Sequence, residues 1–213
     1  MAVRSSSMDE DGAGASFAGI HETRLAVPLE GLADAVAAVA RSPLAPRARA
    51  YREQLGLRPA SEPCAVVVQV MVDASRAGVA FSRGSNEVVI EAVEGFGEVA
   101  MSGEAVPEMS VMGRTGNGWR VLRRSSRRQR EAVRMSGMGV RRVPVDWPAP
   151  PELLAPAAAA DIARGLEILE TALGCPLDVE WAWSRGKVSF LQARPQTRPL
   201  LEELPPGRQL RAS

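Results

Sequence analysis

The spacing of apolar residues changes several times along this chain, and each change predicts an element. Residues 1–19 are small, polar and glycine-rich and read as a loop. Arg24-Leu25-Ala26-Val27 reads as a short strand. Leu29 to Ala40 carries Leu32, Val36 and Val39 at helical spacing, and Pro46 to Leu55 opens on a proline suited to a first helical turn. From Cys64 to Val72 the period is lost in a β-branched run, which predicts a strand covered on both faces. Gly78–Phe81 and Glu87–Glu91 read as strands around a turn at Gly84-Ser85-Asn86, and Gly95 to Glu98 as a loop entering a short helix. Ser110–Gly113 and Trp119–Leu122 flank a hairpin turn at Arg114-Thr115-Gly116-Asn117-Gly118. The prolines from Pro144 to Pro151 read as a connector. Ala157 to Leu173 predicts a helix with Ile162, Leu166, Leu169 and Leu173 on one face, stopped by Gly174. A last hairpin joins Leu177–Trp183 to Lys187–Ala193, and a proline- and charge-rich tail follows. Helices and strands in this order predict an α+β domain with a largely antiparallel sheet.

Composition narrows the function classes. At 213 residues the chain fits one large domain or two small lobes. A net charge of +1 and only 4% aromatic residues argue against a nucleic-acid surface. No signal peptide or apolar run of about 20 residues is present, so a cytoplasmic protein is expected. Cys64 and Cys175 lie far apart in apolar settings and read as buried free thiols. Residues 120–142 hold nine arginines. They read as a solvated loop or frayed helix, with a phosphate-facing patch as the alternative, because arginine forks suit phosphate.

Candidate chemistry concentrates in the last hairpin. Alternation puts Asp178, Glu180 and Ala182 on one face of its first strand, and Phe190, Gln192 and Arg194 on one face of its second. If the two faces coincide, a carboxylate, an amide and a guanidinium share one surface. Such hard oxygen ligands suit Mg²⁺, and an adjacent arginine suits phosphoryl charge. The same residues read equally as an edge hairpin with a surface Glu–Arg pair. Gln69 is a polar residue in an apolar strand and, if buried, needs a partner such as a nucleotide base, a ribose or backbone. His21, the single histidine, has no companion ligands and reads as structural.

Six segments in order resemble one family. They are Val3-Arg4-Ser5-Ser6 with Glu10-Asp11 and Ser16-Phe17-Ala18-Gly19-Ile20-His21-Glu22-Thr23, then Val67 to Val72, then Ala77 to Ser82. Gly95-Phe96-Gly97-Glu98 with Ser102-Gly103-Glu104, then Asp178 to Ala182, then Leu191-Gln192-Ala193-Arg194-Pro195 complete the set. Together they are similar to the ATP-grasp nucleotide-binding domain of phosphoenolpyruvate synthase, pyruvate phosphate dikinase and rifampicin phosphotransferase. The resemblance spans residues 3–197, leaving 198–213 as tail. It implies that Arg4 contacts nucleotide phosphates, that Gly19 and Thr23 form a small-residue loop over them, and that Gln69 lies at the adenosine end. It further implies that Glu180 and Gln192 hold nucleotide-bound Mg²⁺ and that Arg194 faces the phosphates. The family's chemistry is transfer of a phosphoryl group from ATP to a histidine on a separate domain.

The departures from the family pattern matter too. Its further N-terminal lobe, with a phosphate-binding lysine, has no equivalent here, and Ile20 stands where the family has glutamine. The phosphohistidine and acceptor domains of the family are expected to be missing from this chain. The expectation is therefore a partial ATP-grasp module, binding Mg-ATP and working with separate chains that supply the missing domains. A non-catalytic nucleotide-binding or regulatory relative is the alternative.

Overall fold

A computed structural model describes residues 1–7, 20–83, 86–97, 105–125, 127–137, 139–145 and 152–196. Glu10-Asp11, Ser16 to Gly19 of the Ser16–Thr23 motif, Ser102-Gly103-Glu104 and the 198–213 tail lie outside the described residues. The chain divides into two compact units. One comprises Met1–Met71 with Met135–Arg141, and the other the described parts of Val72–Arg134 and Arg142–Ser213.

The first unit is a three-stranded antiparallel sheet with a helix on it. Strand β1 (Ala2–Ser6) lies between β2 (Thr23–Arg24) and β3 (Ala65–Gln69), giving the order β2-β1-β3. Strand β2 is shorter than the predicted Arg24–Val27 because Ala26 turns to a left-handed φ of 53°, which breaks the extended backbone. Val27 still exchanges two backbone hydrogen bonds with Met1, at 2.6 and 2.8 Å. The predicted Leu29–Ala40 helix is a single 3-10 turn at Leu29–Gly31 followed by α1 (Leu32–Arg41). Helix α2 (Pro46–Gln54) starts on its proline as expected. The apolar stripe of α1, from Leu32 and Ala35 to Val36 and Val39, packs on Val3, Val27 and Val66.

Strand β3 departs from prediction. It covers only Ala65–Gln69, and Val67 and Val68 are 47% and 43% exposed. The β-branched run predicted cover on both faces. Among the described residues, however, β3 pairs with β1 alone, so one edge is open, and Val68 on the α1 face and Val67 on the other are both incompletely covered.

The second unit is a six-stranded antiparallel sheet in the order β11-β10-β4-β5-β6-β7. Its strands are β4 (Arg76–Arg83), β5 (Glu87–Glu94), β6 (Glu108–Thr115), β7 (Gly118–Arg124), β10 (Leu177–Ser184) and β11 (Lys187–Pro195). Helix α3 (Pro156–Leu173) covers one face and ends, as predicted, at Gly174 in the left-handed conformation (φ 71°). Ile162 and Leu166 of α3 are fully buried against Val88, Ile90, Met112, Val179 and Trp181. Each such buried aliphatic side chain stabilises the fold by about 1.5–3 kcal/mol. Leu173, expected on the same apolar face, is 56% exposed because it lies in the last turn, past the edge of that core.

The arginine-rich segment is no frayed helix: Arg120, Arg123 and Arg124 lie in β7, Arg127, Arg128 and Arg130 in the stretch that follows, and Arg134, Arg141 and Arg142 in a hairpin of β8 (Glu131–Ser136) with β9 (Gly139–Pro144). Carboxylates far away in sequence account for much of it. Arg127 and Arg134 both ion-pair with Glu94, and Arg124 pairs with Glu152 at 2.8 Å. Gln129 clips the segment to β5: its amide accepts from the Glu94 N–H and donates to the Glu94 carbonyl, both at 2.8 Å. Both cysteines are free, as predicted, but half-buried rather than buried. Among the described residues, no helix is long and apolar enough to cross a membrane.

Candidate functional site

Residue pairing in the larger sheet decides which side chains meet. Glu180 lies directly opposite Gln192, and Asp178 opposite Arg194. Paired residues in an antiparallel ladder point to the same face. Trp181, one residue on from Glu180, is fully buried on the α3 side. Glu180, Gln192, Asp178 and Arg194 therefore share the opposite face, the condition on which the proposed metal and phosphate site depends.

Phe190 does not join them. Between Glu180 and Trp181 the register shifts by one, leaving Leu191 as an extra residue in β11. Phe190 is thereby paired with Trp181 and packs against the core under α3. Strict alternation put Phe190, Gln192 and Arg194 on one face. The bulge separates the first from the other two.

Arg194 is held in place by its neighbour. Its Nε and Nη2 donate to Asp178 Oδ2 at 2.9 and 2.6 Å. The carboxylate is mostly buried and the guanidinium about one-third exposed, so the buried acid fixes the direction of the fork. Such charge-assisted pairs are short and directional.

A third carboxylate lies on this face, beside those of Asp178 and Glu180. Glu180 is paired with Val79 of β4, and Val79 with Glu91 of β5, so Glu91 lies two strands from Glu180. Burial raises the pKa of Glu91 above its ordinary value, and the negative charge of Asp178 adds to the effect. Sequence reasoning passed over Glu91. The signal was a single acid inside the apolar run Val88-Val89-Ile90-Glu91-Ala92-Val93.

The donor set suits a hard divalent cation. Among the described residues, no three His, Cys, Asp or Glu side chains converge to hold a metal by themselves. Glu180 and Gln192 offer one carboxylate and one amide, the hard oxygens that suit Mg²⁺ when phosphate oxygens complete its shell.

In the smaller unit, β1 pairs Arg4 with Val67 on one side and with Thr23 on the other, while Ala2 pairs with Gln69. Val3 points to α1 and is fully buried, so Arg4, Thr23 and Gln69 share the face away from that helix. Arg4 and Gln69 are half-buried and Thr23 is exposed. The two groups thus form two clusters, each on the face of its own sheet away from α1 or α3.

Comparison with known proteins gives this geometry a context. The family model "Pyruvate phosphate dikinase, AMP/ATP-binding domain" matches residues 1–203. The chain belongs to this family. It is 36% identical over 207 residues to a probable phosphoenolpyruvate synthase of Methanocaldococcus jannaschii, covering 92% of this chain and 17% of that protein. A probable phosphoenolpyruvate synthase of Archaeoglobus fulgidus is 35% identical over 205 residues, covering 92% and 27%. The rifampicin phosphotransferase of Streptomyces sviceus is 33% identical over 205 residues, covering 92% and 23%. The chain therefore corresponds to roughly a quarter or less of each relative's length. As an AMP/ATP-binding domain of α+β, mainly antiparallel architecture, it matches the fold class expected from the sequence.

Proposed function

We propose that this chain is the Mg-ATP-binding module of a phosphotransferase related to phosphoenolpyruvate synthase and pyruvate phosphate dikinase. The observation that carries this reading is the in-register pair Glu180–Gln192, with Arg194 fixed beside it by Asp178. In this reading Glu180 and Gln192 hold the nucleotide's Mg²⁺, which neutralises phosphate charge when bound. Arg194 is the catalytic group, stabilising charge on the transferred phosphoryl group. Arg4, Thr23 and Gly19 contact the phosphates, and Gln69 contacts the adenosine.

The acceptor is a histidine on a domain outside these 213 residues, in the same or a separate chain, and further polypeptide covers the phosphate end from the N-terminal side. The uncovered valines of β3 support that last point, since a β-branched strand of this kind is normally buried. Neither nucleic acid nor membrane enters the reading.

Isothermal calorimetry of the full chain with ATP, with and without Mg²⁺, tests it. The expected result is Mg-dependent binding that Glu180→Ala or Arg194→Ala weakens about tenfold or more, the worth of a charge-assisted contact. Affinity equal in wild type and both variants, or no nucleotide binding at all, refutes the assignment. Adding a histidine domain from a relative then reports transfer: phosphohistidine forms if the module is catalytic and does not if it only binds.

A further inference from the structure

The α3 side of the larger sheet, away from Glu180 and Gln192, carries a cleft of about 370 Å³ lined by Arg76, Trp183, Glu152, Leu153, Leu154, Ala155 and Ala158. That volume is in the range of small-molecule sites. Its walls are fixed by buried polar contacts. The backbone N–H groups of Leu153 and Leu154 donate to the buried Glu108 carboxylate at 2.8 and 3.4 Å, and Arg124 donates to the Leu154 carbonyl at 3.0 Å. On the other side, Ser75 ties down the end of the strand bearing Trp183, its N–H and hydroxyl donating to the Trp183 carbonyl at 2.9 and 3.1 Å. The cleft is preformed.

One of its charged groups has a donor left without a partner. Arg76 Nε is buried and has no hydrogen-bond partner among the described residues. The two carboxylates closest in arrangement are engaged elsewhere. Glu94, opposite Arg76 in register, pairs with Arg127 and Arg134. Glu152, in the cleft wall, pairs with Arg124. An apolar cleft with an arginine donor left unpaired among the described residues and one indole edge suits a ligand that is apolar along its body and anionic at one end.

We propose that this cleft binds a small organic anion, with its charged group on Arg76 and its apolar body against Trp183, Leu153 and Leu154. The site is separate from the nucleotide face, because Arg76 and Trp183 pair on the α3 side of the sheet.

Ligand-detected NMR titration of the full chain with phenylacetate, and with its neutral isostere phenylacetamide, tests the proposal. Phenylacetate is expected to bind saturably, and phenylacetamide about tenfold more weakly, the worth of one charge-assisted hydrogen bond. Arg76→Met should bring phenylacetate down to the amide's affinity with no fall in melting temperature, since the side chain it removes has a buried, unsatisfied donor. Ala155→Trp fills the cleft from an exposed position without touching Arg76 and should abolish binding of both probes. Equal affinity for acid and amide, unchanged phenylacetate binding in either variant, or no binding of phenylacetate overturns the proposal.

Discussion

Glu108 is the most demanding test of how the larger unit is held together. It is 3% exposed on the α3 side of β6, and its carboxylate caps the backbone that leads into α3. Glu108→Ala leaves two buried N–H groups without an acceptor. The one on Leu153, at 2.8 Å, is a full hydrogen bond, and the one on Leu154, at 3.4 Å, is weak. An unsatisfied buried donor costs about 1–3 kcal/mol, so the pair contributes about 2 kcal/mol. Arg124 also loses a carboxylate at 3.7 Å but keeps Glu152 at 2.8 Å. The penalty for breaking the charge pair is therefore well under the ~3–5 kcal/mol of an isolated buried bridge, about 1 kcal/mol. The total, about 3 kcal/mol, corresponds to a fall in melting temperature of about 6–12 °C for a protein of this size. Glu108→Gln, which keeps an acceptor for Leu153, should cost less than half as much. Differential scanning calorimetry measures the shift, and hydrogen exchange over residues 152–160 localises it. A Glu108→Ala variant that melts within about 2 °C of wild type, with unchanged protection of Leu153 and Leu154, would refute this account of the clamp.

Two further perturbations bear on the site and its surroundings. The folded protein raises the pKa of Glu91 above its unfolded value, so native Glu91 holds its proton more tightly than the unfolded chain does. Its stability contribution is therefore complete below the ordinary value of 4.5 and is lost as pH rises through the folded value. Glu91→Gln should be more stable than wild type at neutral pH, with the difference vanishing in acid; denaturant melts at pH 4 and 7.5 that show no such crossover contradict the assignment. Val68→Lys places a charge on the open β3 edge and should suppress concentration-dependent association of the isolated chain, as edge lysines do in natural sheets. Identical light scattering by variant and wild type would count against the edge as the sticky surface.

The elements with a regular local signal were legible in the sequence. The 3.6-residue stripe and terminal glycine of α3, the Asn-Gly hairpin and the apolar strands β4, β5 and β10 follow from period and turn chemistry alone. The coincidence of Glu180 with Gln192 and Arg194 was legible only as a condition, because strand alternation says nothing about the register of a partner strand. Phe190 was misplaced for that reason. A bulge is a property of the pair of strands, and no feature of Phe190-Leu191-Gln192 alone marks it. The arginines of 120–142 were misread because their partner Glu94 lies 33 and 40 residues from Arg127 and Arg134, beyond any local pattern. Glu91 went unnoticed as a lone acid inside an apolar strand, the same clue that had marked Gln69, whereas Glu108 and Gln129 carry no such signal. The reading of β3 failed differently. The β-branched run reports what the strand is built to contact, and the described residues leave Val67 and Val68, one on each face, partly uncovered.

The extra residue Leu191 has a consequence for how this hairpin can change in evolution. Near the turn, residues pair so that Trp181 meets Phe190; beyond the bulge, Glu180 meets Gln192. Loss of one residue between Arg185 and Leu191 can be absorbed by erasing the bulge, and Glu180 still faces Gln192 in an ordinary ladder. Loss of one residue between Trp181 and Ser184 cannot, because it doubles the mismatch that the second strand must accommodate. Length variation in this hairpin should therefore be tolerated on one strand and selected against on the other. Homologues that differ by a single deletion in the second strand can then retain the same facing pair without sharing the same local backbone.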